Sequence, residues 1–70
     1  MKEIKINSEF IKLDQFLKWA EVAVTGGESK ALIIDGMIKV NGVVEFARGK
    51  KLREGDLIEV MEEQYKIVKE

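Results

Sequence analysis

Cysteine and histidine are both absent from this 70-residue chain. Without cysteine there is no disulfide framework and no thiolate metal site, a composition that fits a reducing compartment. Without either residue, nucleophilic and general-base catalysis lose their commonest side chains. The serines are Ser8 and Ser29, neither with an evident base beside it. The adjacent carboxylates Glu62 and Glu63 fall in a predicted exposed turn. A chain this short also has little structure with which to enclose a concave site. The expectation is a protein that is not an enzyme and that uses no metal and no cofactor.

Long apolar runs are missing as well. Nothing approaches the ~20 residues that a membrane span requires. The first eight residues alternate charged and apolar instead of forming the apolar core of a signal peptide. These absences lead us to expect a soluble, cytoplasmic protein with no membrane partner. Seventy residues make a single domain, 1–70, expected to be monomeric and stabilised by regular packing of nearly every apolar side chain.

Net charge is close to absent, at −1, but it is unevenly distributed. Residues 1–38 carry five basic and six acidic side chains, and residues 54–70 carry two basic against six acidic. Between them, residues 39–53 set Lys39, Arg48, Lys50, Lys51 and Arg53 against Glu45 alone. Segregated charge produces local fields that the total conceals, and a phosphate backbone responds to the local patch.

Hydrophobic periodicity outlines the elements. Lys2 to Ile6 alternates polar and apolar, with Ile4 and Ile6 on one face of a short strand. Phe10 and Ile11 continue briefly as an extended segment. From Leu13 the period changes: Leu13, Phe16, Leu17 and Ala20 form one stripe of a helix, with Asp14 as its N-cap or first-turn acid. Lys18 points away from that stripe, and the helix is expected to end between Glu21 and Ala23. Thr25-Gly-Gly-Glu28 fits a capping box, in which the Thr25 hydroxyl satisfies the Glu28 amide and Glu28 reaches back. A second short helix follows, with Ala31, Leu32 and Ile34 expected on its buried face and Ile33 a further candidate. Gly36 suits the left-handed position past its end. Met37 to Val40 and Val43 to Phe46 read as strands joined by a tight Asn41-Gly42 turn. Residues 47–56 form a basic loop closing on Glu54-Gly-Asp56. Leu57 to Met61 and Tyr65 to Val68 are two further strands joined by Glu62 to Gln64. The fold class is therefore α+β, with two short helices packed on a small, mostly antiparallel sheet of about five strands.

Several residues carry potential chemistry. The segment Arg48-Gly-Lys-Lys-Leu-Arg53 fits either a solvated loop or a phosphate-binding one. Crowding like charges costs stability, and Gly49 lets backbone fit against a ligand, but composition alone leaves both roles open. Lys30, early in the second helix, opposes the helix dipole, and Thr25, Gly26 and Gly27 beside it offer either a capped start or open amides for a phosphate. Trp19, on the flank of the first helix, is expected to cover the edge of the core, with stacking on an unpaired base as its other possible role. Asn41 is a turn residue first and an RNA-contacting amide second.

The order of these motifs resembles the S4 RNA-binding domain. The resemblance rests on Lys12-Leu-Asp-Gln-Phe-Leu17, Thr25-Gly-Gly-Glu-Ser-Lys30, Leu32-Ile33 with Gly36 and Val40-Asn-Gly42, and Arg48-Gly-Lys-Lys-Leu52 followed by Gly55-Asp56 and Ile58. It spans about residues 10–60, and implies a two-helix unit with a following β-hairpin whose helices and loop share one RNA-contacting face. By that resemblance, Lys12, Thr25 and Lys30 fall on contact positions, as do Arg48, Lys50, Lys51 and Arg53. Lys18, Gly26, Gly27 and Asn41 complete the candidate set. Lysine stands where the family usually has arginine at position 12, and also at 30, which removes bidentate phosphate recognition. The implied partner is structured RNA, ribosomal or transfer RNA, with ribosomal proteins as further partners, in ribosome assembly or translation.

Two alternatives come from other classes. β-Grasp sulfur carriers also show a Val-Asn-Gly hairpin and a late Gly-Asp-x-Ile strand, but they end in Gly-Gly. This chain ends Ile67-Val-Lys-Glu70, and two early helices fit that fold poorly. A protein-interaction adaptor on the ribosome would instead use the sheet edge, or set its acidic last strand pair against a basic partner.

Overall fold

A computed structural model describes all residues from Met1 to Glu70. In chain order the elements are β1 (Lys2–Ile6), β2 (Ile11–Lys12), α1 (Leu13–Trp19), α2 (Gly26–Ile34), β3 (Ile38–Val40), β4 (Val43–Val44), β5 (Lys51–Leu52), β6 (Leu57–Val60) and β7 (Glu63–Lys69). Five strands form one sheet in the order β1-β7-β6-β3-β4. All neighbours in it are antiparallel except β1 and β7, which pair parallel with Ile4 opposite Ile67. This is the expected α+β architecture with a mostly antiparallel sheet. The remaining strands, β2 and β5, make a separate two-stranded ribbon.

Alternation along the strands decides which sheet face is covered. Ile38 and Val40, Ile58 and Val60, and Tyr65 and Ile67 are all buried, while the residues between them are exposed or half-buried. Leu13, Phe16 and Leu17 of α1 pack onto this face, each with no exposed surface. The Phe16 ring meets Tyr65 edge-to-face, with centroids 5.5 Å apart and planes at 84°, the arrangement that ring quadrupoles favour. Leu52 of the ribbon is fully buried in the same core, so the basic segment is anchored to the domain by one apolar side chain.

Helix α1 stops at Trp19, short of the expected end between Glu21 and Ala23. The amide of Val22 donates to the Leu17 carbonyl (2.9 Å) and that of Glu21 to Lys18 (3.1 Å), the paired bonds of a Schellman motif. Its left-handed residue is Glu21, at φ 61°, so no glycine announces the stop. Helix α2 ends with the same pair of bonds, Met37 to Leu32 and Gly36 to Ile33, both 3.1 Å. There the left-handed residue is the expected glycine, Gly36, at φ 73°.

The buried face of α2 also differs from expectation. Ser29 and Ile33 face inward, Leu32 is half-buried, and Ala31 and Ile34 are exposed. The Ser29 hydroxyl donates to the Asp14 carbonyl of α1 at 3.3 Å, which sets the rotation of α2 and turns Ile33, one turn on, into the core. Trp19 departs further: it is 66% exposed and covers no core edge, because Leu13, Phe16 and Leu17 already close that side of α1.

Both hairpins have two-residue turns. Asn41 and Gly42 (φ 51° and 85°) join Val40 to Val43, and Met61 and Glu62 (φ 50° and 51°) join Val60 to Glu63. Left-handed φ at both positions marks turns of type I′. The second turn is shorter than the Glu62-to-Gln64 connection expected, and β7 begins at Glu63.

Candidate nucleic-acid interface

The basic segment is not a free loop. Lys51 and Leu52 pair antiparallel with Lys12 and Ile11, so Lys12 lies directly opposite Lys51. Upstream of that pairing, the carbonyls of Lys50 and Arg48 accept the amides of Leu13 (2.8 Å) and Asp14 (3.1 Å). Those amides open α1 and would otherwise lack intrahelical partners; Lys12, the N-cap, supplies no side-chain cap. The backbone of Arg48 to Lys50 is therefore held against the first turn of α1, with its side chains exposed. Gly49 is not among the left-handed glycines.

Downstream, Asp56 fixes the segment's other end. Its carboxylate accepts the Arg53 amide at 2.8 Å and the Asn41 side-chain amide at 3.1 Å. The Asn41 carbonyl oxygen accepts the Leu57 amide at 2.9 Å. Asn41 thus spends both ends of its side chain tying its hairpin turn to the turn that ends the basic segment, a positioning role.

Helix α2 joins the same corner. The Asp14 amide bonds the Arg48 carbonyl, and the Asp14 carbonyl accepts the Ser29 hydroxyl, so two hydrogen bonds lead from the basic segment to the residue beside Lys30. The Thr25 hydroxyl accepts the Glu28 amide at 3.1 Å, as expected of the capping box. Glu28 reaches back to the Val24 amide (3.3 Å), one residue beyond Thr25. The amides of Gly26 and Gly27 have no protein acceptor, and the space around Gly26 is open. Lys18 lies at the far end of α1, next to Trp19.

Charge at this corner is unbalanced. The ion pairs of the molecule, Lys2 with Glu63 (3.9 Å) and Lys69 with Glu9 (3.6 Å), lie elsewhere. Lys12, Lys18, Lys30, Arg48, Lys50, Lys51 and Arg53 are all exposed and none is paired with a carboxylate. Of the nearby acids, Asp56, Glu45 and Asp14 are turned to the backbone amides of Arg53, Ala47 and Gln15, while Glu54, next to Arg53, is exposed and forms no ion pair. Two of the cations rest on Phe10, with the Lys51 ammonium 4.8 Å and the Arg53 guanidinium 5.8 Å from its ring centre. Phe10, Ser29 and Asp56 were not expected to shape this surface. They organise it through a ring face, a buried hydroxyl and a turn carboxylate, all of which depend on contacts distant in sequence.

A two-helix unit, a following hairpin and a basic segment bound to the first helix together define an S4 domain. Residues 4–68 match the S4 domain model, and the chain belongs to that family. The probable ribosome maturation protein RlbA of Bacillus subtilis (strain 168) is 40% identical over 57 residues, which cover 81% of this chain and 80% of that protein. The crystal structure of the 30S ribosomal protein S4e from Thermoplasma acidophilum matches with a TM-score of 0.65 at 19% identity, over 86% of this chain. The chain spans only 32% of that larger protein, and the likeness is one of fold.

Proposed function

We propose that this S4 domain binds structured RNA, ribosomal or transfer RNA, through the β2–β5 ribbon and the start of α2, in ribosome assembly or translation in the cytoplasm. The observation that carries the proposal is the set of unpaired cations, above all Lys12 set opposite Lys51. Like charges directly opposed across strands are destabilising, and a phosphate between them would remove that penalty. The ribosome-linked name of the 40%-identical relative supports the same assignment.

A-form RNA hides its major groove from side chains, so a small rigid module reads phosphates, shape and unpaired positions. Lys12, Lys50, Lys51, Arg48 and Arg53 supply positive charge from one corner, and Lys30 extends it along α2. The free amides of Gly26 and Gly27 are a further anchor for a phosphate at that helix end. Lysine at positions 12 and 30 gives point charges without the fork of arginine, which favours backbone contact over base-specific geometry.

Anisotropy titration of a labelled ribosomal RNA hairpin with wild type and with Lys50→Glu/Lys51→Glu tests the surface. Affinity is expected to fall by at least tenfold in the variant, about 1.4 kcal/mol, with the fold retained by circular dichroism. Equal affinity of the two proteins would overturn the assignment. Association with ribosomes that survives ribonuclease would point to the protein-adaptor role instead.

A further inference from the structure

Trp19 is the only tryptophan of the chain, and it is 66% exposed although the domain has few aromatic side chains to spare for its core. It closes α1, a helix whose inward face is filled without it. Two open depressions meet at its ring. The larger, about 590 Å³, is lined by Ser8, Phe10, Ile11, Gln15, Lys18 and Trp19; the smaller, about 280 Å³, has both Lys5 and Glu70 on its wall, so the phosphates are placed on the larger side. Phe10 links the larger depression to the ribbon, because the same ring carries the Lys51 and Arg53 cations at 4.8 and 5.8 Å. Gln15, one turn before Trp19, is exposed and lines the same depression with a side-chain amide that has no hydrogen-bond partner in the protein.

We infer that this surface seats one unpaired nucleobase of the bound RNA, stacked on Trp19, while the adjoining phosphates lie on Lys18, Lys51 and Arg53. The inference rests on the RNA-binding proposal and deepens it by naming the preferred ligand: a duplex that presents a bulged or overhanging nucleotide. A flat indole beside free cations suits a nucleotide, whose base offers an aromatic face and whose phosphate offers charge. The free amide of Gln15 can meet the edge of such a base.

Because Trp19 is the sole tryptophan, its emission reports the site directly. An RNA hairpin with a single-nucleotide bulge is titrated against the same hairpin without the bulge, following tryptophan fluorescence and anisotropy of the labelled RNA. The bulged RNA is expected to quench the emission on saturation and to bind more tightly than its bulge-free counterpart. Trp19→Ala is expected to lose that preference, with affinity for the bulged RNA falling about 5- to 140-fold, the range for removal of one stacked base. Trp19→Phe is expected to recover part of it. If Trp19→Ala binds the bulged RNA as tightly as wild type and the wild-type emission does not move, the seat is overturned while the phosphate-binding ribbon stands. If wild-type protein binds neither RNA, both proposals fall.

Discussion

Lys12 occupies a position that folding alone would not choose. It stands opposite Lys51 in the ribbon and occupies the N-cap position of α1, where the helix dipole disfavours a cation. Replacing it with an acid would reverse both penalties. Lys12→Glu is therefore expected to stabilise the domain by about 0.5–1.5 kcal/mol in urea denaturation and to weaken RNA binding at the same time. A variant that lost stability, or that gained it with RNA affinity intact, would show that Lys12 is not retained for a ligand. Asn41 has the opposite character, with its turn conformation and both ends of its amide committed to the protein. From the sequence, Asn41 could be named as a turn residue, but the partner that makes it a clamp, Asp56, lies fifteen residues away. Trp19, expected over the edge of the core, is exposed for a related reason. Periodicity placed it on the flank of α1, but only the packing of Leu13, Phe16 and Leu17 shows that the core needs nothing more from that flank.

Among the elements, the same backbone device is legible in one place and hidden in another. Both helices end in a Schellman motif, and both hairpins use type I′ turns. Where glycine occupies the left-handed position, at Gly36 and Gly42, the sequence marks the boundary. Where Glu21, Met61 and Glu62 occupy it, each at φ between 50° and 61°, it does not. L-residues are strained there, by roughly 1–2 kcal/mol each, partly offset on substitution by the backbone entropy of glycine. Glu21→Gly and the pair Met61→Asn/Glu62→Gly are each expected to raise stability by about 0.5–1 kcal/mol in chemical denaturation. A loss of stability in either would contradict the assigned turns. The ribbon is illegible in the sequence because its strands are two residues long and hold by pairing residues 39 and 41 positions apart. The basic segment was recognisable by composition, whereas its anchorage to α1 rests on carbonyls that composition cannot report.

For the molecule as a whole, segregated charge reconciles a net charge of −1 with an anionic partner. The basic segment leads through Glu54 to Asp56 into β6 at Leu57, and the hairpin that carries Glu62 and Glu63 lies past that strand's other end. Three residue steps of strand separate those ends, about 10 Å, and the Debye length at physiological ionic strength is about 8 Å. The carboxylates of the far hairpin are thus largely screened from RNA lying on the ribbon, though they will oppose binding at low salt. The α+β class and S4 membership were both legible from the order of motifs along the chain. The link between ribbon and α2 runs through the Arg48–Asp14–Ser29 hydrogen-bond relay and emerges only in three dimensions.

If the unpaired cations of the ribbon hold RNA phosphates, binding must weaken steeply as salt is raised. Neutralising four phosphates predicts that the logarithm of the association constant for a ribosomal RNA hairpin falls against the logarithm of salt concentration with a slope of about −3. In Lys12→Glu/Lys51→Glu the slope should become shallower by between about one and two. A wild-type slope near zero, or the same slope in wild type and variant, would contradict phosphate binding by these cations.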